Sequence, residues 1–148
     1  MLKKAMLLFG SLVLVSSFSY AEEKYSISGE VFFQLNSPIY MNLVTRETFQ
    51  NRREPLSPPF GICINLTTEQ VKSQKAPFKF EGIPKDNYFI VAFQDLNKNK
   101  KLDGHQDGSS AEPVGTYKKS NFFTSWDKRQ FIVDKDIRGI KITIVEHF

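Results

Sequence analysis

The chain has one cysteine, two histidines and one tryptophan among 148 residues, and it has no long apolar run. A single cysteine, Cys63, excludes an intramolecular disulfide, so the fold has to be held by its core. Cys63 lies in Gly61-Ile62-Cys63-Ile64, between two β-branched residues, and is expected to pack inside as a small hydrophobe. With only His105 and His147, no Ser-His-Asp or Cys-His set suggests itself, and no enzyme is expected. His105 falls in a polar stretch and reads as a solvent-facing loop residue. Long amphipathic helical patterns are missing too, which excludes a helical bundle.

Charge of one sign is also lacking. Lys and Arg number 20 against 16 Asp and Glu. Residues 1–21 read as a secretory signal: Lys3 and Lys4 start it, Met6 to Val15 is mostly apolar, and Ser19 and Ala21 are small. The apolar run of about 10 residues falls short of the ~20 a spanning helix needs, so no transmembrane span is expected. Cleavage after Ala21 leaves residues 22–148 as one domain in the periplasm or outside the cell. Lys3 and Lys4 leave with the signal, so 18 basic residues remain against 16 acidic ones, about +2. Scattered charge so near balance gives no reason to expect a nucleic-acid partner.

What is present is β pattern. Tyr25, Ile27, Val31 and Phe33 alternate with polar residues over Tyr25 to Gln34, the period of a half-buried strand. Ile39 to Thr48 and Phe60 to Leu66 read as the second and third strands. Thr67-x-x-Gln70 offers a capping box for a short helical turn. Phe78 and Phe80 point inward from the fourth strand, and Pro84 to Asn87 reads as a turn with Asn87 suited to a left-handed conformation. Tyr88 to Gln94 is apolar on both faces, as a central strand is. Residues 104–125 form a long polar loop, and Gln130 to Val133 and Ile137 to Val145 close the chain. Seven short strands with at most one helical turn predict an all-β sandwich. The 14 phenylalanines supply much of its core, each aromatic burying about 150–250 Å².

After the central strand comes Asp95-Leu96-Asn97-Lys98-Asn99-Lys100-Lys101-Leu102-Asp103. Oxygen-bearing side chains fall at positions 1, 3, 5 and 9 of a calcium-loop spacing, with the Lys101 carbonyl at position 7. Glycine at position 6 and glutamate at position 12 are replaced by Lys100 and Gln106, and no helix precedes the loop, which excludes an EF-hand. Asp95, Asp103 and Asp107 are balanced by Lys98, Lys100 and Lys101. Two readings stay open: a weak Ca2+ site built from Asp95, Asn97, Asn99, Lys101 and Asp103, or an Asx-rich turn that satisfies its own backbone. Tyr117, Phe122, Phe123 and Trp126 follow, and could present an aromatic platform to a carbohydrate or peptide.

The run Phe78-Lys79-Phe80-Glu81-Gly82-Ile83-Pro84, then Asn87-Tyr88, Val91 to Asn99 and Leu102-Asp103, resembles a bacterial family of small exported domains catalogued as a domain of unknown function. Its pattern runs from an F-x-x-[LI]-P turn through a Y-x-[IV] strand to D-x-N-x-N-G-x-[LF]-D. Ser109 to Gly115 resembles the Gly-x-Pro-x-Glu-like stretch that follows. The resemblance implies a transthyretin-like or immunoglobulin-like sandwich with no known enzymatic activity. The expectation is a monomeric envelope interaction or scaffold module, its partner an envelope protein or glycan.

Overall fold

The computed structural model describes residues 22–50, 60–105, 109–118 and 124–146. The signal reading of residues 1–21 lies outside them. Eight strands and three short helices follow in order: β1 (Lys24–Phe32), β2 (Ile39–Val44), α1 (Arg46–Gln50), β3 (Phe60–Ile64), α2 (Thr68–Ser73), β4 (Lys75–Pro84), β5 (Asp86–Gln94), β6 (Val114–Thr116), α3 (Trp126–Arg129), β7 (Phe131–Val133) and β8 (Ile137–Thr143). They form two sheets. One has the order β4-β1-β8, the other β3-β2-β5-β6, with β7 paired beside β6 on the same edge of β5.

The alternating residues do what their period requires. Ile27 and Val31 from β1, Phe78 and Phe80 from β4, and Ile140 and Ile142 from β8 are buried. They pack in one core with Met41, Leu43, Ile90 and Ala92 of the second sheet. β1 runs antiparallel to β4 and parallel to β8, with a register shift between Ile27 and Gly29. Gly29 is required there, because a Cβ would stand 2.0 Å from the Ile140 carbonyl oxygen. The two sheets are stitched at one corner, where Val114 and Val145 exchange backbone hydrogen bonds of 3.0 and 3.1 Å.

Several expectations need correction. The second strand ends at Val44 rather than Thr48, because the Thr45 hydroxyl accepts the Thr48 N–H at 3.3 Å and starts α1. With α1 and α3, the described residues hold three short helices rather than one. α2 is the expected one, with both halves of the Thr67–Gln70 capping box formed. Asn87 is not left-handed: it is extended and paired with Ile132, and the positive φ near this hairpin belongs to Gly82 at 68°. Among the described residues seven strands become eight, because β6 interrupts the 104–125 loop, pairing Val91 to Phe93.

Cys63 is exposed rather than buried. It stands opposite Tyr40 in the β2–β3 register, on the outer face, while Met41 and Ile62 turn inward. The hydrogen bond with Cys63, then burial, pushes the Tyr40 phenol above its usual range.

Candidate functional site: the Asp95–Asp103 loop and Glu112

The chain leaves β5 under tight backbone control. Gln94 donates its N–H to the Pro113 carbonyl at 3.0 Å, and Asp95 donates to the Pro38 carbonyl at 3.2 Å. Asp95 is therefore held between two other loops, and only 2% of it is exposed. Its carboxylate turns back over the following residues. Oδ1 accepts the Asn99 N–H at 3.1 Å and Oδ2 accepts the Lys100 N–H at 2.8 Å.

The next two turns repeat the device two residues at a time. Asn97 Oδ1 accepts the Asn99 N–H at 3.0 Å, and Asn99 Oδ1 accepts the Lys101 N–H at 2.8 Å. These are Asx turns, in which a short side chain takes over a backbone donor. The two amide nitrogens then converge. Asn97 Nδ2 and Asn99 Nδ2 both donate to Asp103 Oδ2 at 2.6 Å. Lys98 and Lys100 accordingly take φ values of 64° and 65°, a conformation that costs a residue with a Cβ on the order of 1 kcal/mol.

Glu112 closes the loop, and sequence reasoning gave it no role. It is 2% exposed. Oε1 accepts the Leu96 N–H at 2.8 Å and Oε2 accepts the Asp103 N–H at 3.3 Å, so one carboxylate clamps both ends of the loop. A short return positions it: Ala111 donates to the Asp103 carbonyl at 2.9 Å and Gly104 bridges Ser110. The Ser110 hydroxyl donates to the Glu112 carbonyl at 2.6 Å. The only signal in the sequence is local: a carboxylate directly before Pro113-Val114-Gly115.

All five expected ligands, Asp95, Asn97, Asn99, Lys101 and Asp103, thus lie in one loop. Lys101 takes part through its N–H. The side-chain donors are carboxylate and amide oxygens, the kind calcium takes. Those of Asp95, Asn97, Asn99 and Glu112 already accept backbone N–H groups, and Asp103 Oδ2 receives two amide nitrogens. Among the described residues there is no group of three or more His, Cys, Asp or Glu that could hold a metal ion.

The aromatic segment divides differently. Trp126 is 6% exposed and packs on Phe49 with ring centroids 5.5 Å apart. The Arg129 guanidinium lies over the Phe49 and Phe89 rings at 5.4 and 5.2 Å. Tyr117 meets Phe131 edge-on at 5.2 Å. Trp126 is thus part of the interior rather than a platform. Phe122, Phe123, Gln106, Asp107 and His147 lie outside the described residues, and His105 is exposed.

A model of a protein family described as an uncharacterized protein conserved in bacteria, DUF2141, matches residues 36–141. That range takes in β2 through most of β8 and the whole loop with Glu112. No curated protein and no solved structure matches the chain.

Proposed function

This chain belongs to the bacterial family DUF2141, and we propose that it is an exported, non-enzymatic sandwich serving in the envelope as an interaction or scaffold module. Its working surface is the Asp95–Asp103 loop. One observation carries this reading: two carboxylates, Asp95 and Glu112, are each 2% exposed and are committed to four loop N–H groups. Burying a charge is costly unless hydrogen bonds compensate it, and charge-assisted bonds are the stronger kind. Such a network holds a loop in one shape, which suits presentation to a partner. The basic, apolar and small-residue order of residues 1–21 supports export.

Calcium is an optional reinforcement. Asp95, Asn97, Asn99 and Asp103 would hold it with the Lys101 carbonyl, and it would supply a positive charge where Asn97 and Asn99 now donate to Asp103. Because that network is complete without it, binding falls in the millimolar to sub-millimolar range of extracellular modules.

Calorimetric titration and melting curves test the metal. Weak heat and a rise in Tm at about 10 mM calcium, both abolished in D95N, are the expected results; neither signal in the native chain ends the calcium reading. Amide exchange tests the tied loop in metal-free buffer, where Leu96, Asn99, Lys100 and Asp103 should be protected. A hydrolytic activity on ester or amide substrates that disappears in a single Asp, Glu or His variant would overturn the non-enzymatic reading.

A further inference from the structure

Over Asp95 to Asp103, two carboxylates and three ammonium groups sit close in sequence, yet the fold sorts them by direction. Asp95 and Glu112 are buried and serve the backbone, while Asp103 is occupied by the Asn97 and Asn99 amides. Lys98, Lys100 and Lys101 are all exposed. Elsewhere Lys75 pairs with Glu30 and Lys79 with Glu81. Among the described residues no carboxylate lies within ion-pair distance of the three loop lysines. With Asp103 half-buried and the three lysines exposed, the outer surface of the loop is predominantly cationic, although its charges nearly cancel on paper.

Two further features accompany that charge. Leu96 and Leu102 are 45% and 42% exposed, two of the four large apolar side chains left so open among the described residues. Both stand next to the Glu112 clamp, through the Leu96 N–H and the Asp103 N–H. Lys98 and Lys100 also occupy left-handed backbone positions, where glycine or asparagine would sit more easily. Strain of this kind gathers at functional sites.

We propose that this loop docks on an anionic lipid surface, with Lys98, Lys100 and Lys101 meeting the headgroup charge and Leu96 and Leu102 entering the interface. Clustered lysines are attracted by anionic leaflets, and exposed apolar side chains beside them are the pattern of interfacial binders. The leucines favour a bilayer over a soluble polyanion, which offers them nothing apolar. No helix among the described residues is long and apolar enough to cross a membrane. The proposal rests on the reading of the tied loop as a working surface.

The test is co-sedimentation of the chain, purified as the cell processes it, with phosphatidylcholine vesicles with and without phosphatidylglycerol. Binding should require phosphatidylglycerol, weaken with added salt, and fall about five-fold per lysine replaced by glutamine, or about 100-fold in K98Q/K100Q/K101Q. All five side chains are exposed, and matched melting curves verify that the variants fold. L96S/L102S should lose vesicle binding while keeping any binding of soluble polyphosphate. Unchanged vesicle binding in the triple variant overturns the proposal, as does binding of polyphosphate without binding of vesicles. Amide exchange on E112Q separates the two readings. If Leu96 and Asp103 lose protection in E112Q but native chain ignores vesicles, the tied loop stands and lipid docking fails. If protection is unchanged while vesicles still bind, the tied loop fails instead.

Discussion

Glu112 Oε1 receives the Leu96 N–H at 2.8 Å, across 16 residues of chain, from a side chain that is 2% exposed. Through its other oxygen the same carboxylate receives the Asp103 N–H. The loop is thus closed from behind by a residue outside its own motif.

E112Q turns one of these two acceptors into an NH2 that faces a backbone N–H. A buried donor left without a partner costs about 1–3 kcal/mol. Urea denaturation should show a loss of that size, together with faster exchange of the Leu96 and Asp103 amides.

Gly29 and Gly82 separate two reasons for glycine. A Cβ on Gly29 would stand 2.0 Å from the Ile140 carbonyl oxygen, whereas one on Gly82, at φ 68°, would meet nothing within 4 Å. G29A should therefore lose at least the roughly 1–3 kcal/mol of an overpacked site, and G82A only about 1 kcal/mol from its backbone conformation. Equal melting temperatures for the two variants would contradict the close β1–β8 approach.

Lys100 holds φ 65° while its N–H serves Asp95. K100G keeps the N–H and removes the Cβ penalty, so it should stabilise the folded chain by roughly 0.5–1 kcal/mol after the added flexibility of the unfolded state. Equilibrium unfolding of the variant beside the native chain measures this directly.

Asp136 links the turn before β8 to the start of β1, its Oδ1 accepting the Ser26 N–H at 2.9 Å. That backbone bond, followed by the Ser26 side chain, holds its carboxyl below the ordinary value near 3.8. A depressed folded-state pKa contributes stability above the unfolded value, and this contribution is lost as pH falls below about 3.8 through the folded value. The carboxylate is exposed, so the effect is small. D136N should lower the neutral plateau of the melting-temperature profile slightly and flatten its acid limb, the two chains converging at low pH.

The legible parts of this fold were those written in local pattern. Ile27 and Val31, Phe78 and Phe80, and Ile140 and Ile142 lie inward because alternation by two assigns a strand one buried face. The Thr67–Gln70 capping box formed as read, since both partners belong to one turn. β6 escaped because it has three residues and is defined by distant partners, Val91 to Phe93 and Val145. Cys63 was misjudged because β-branched neighbours signal a strand but not which of its faces is buried, and register with Tyr40 decides that.

The loop divides the same way. From the sequence came its position after the central strand, its Asx turns and its set of oxygen donors. Tertiary structure alone brought Glu112 across to Leu96 and Asp103 and set the direction of each charge. Carboxylates can accept backbone N–H groups and so can be buried. Ammonium groups cannot accept them and remain in water. Their formal charges nearly cancel along the chain, but the folded loop buries Asp95 and Glu112, leaves Asp103 half-buried under the Asn97 and Asn99 amides, and shows solvent the three lysines.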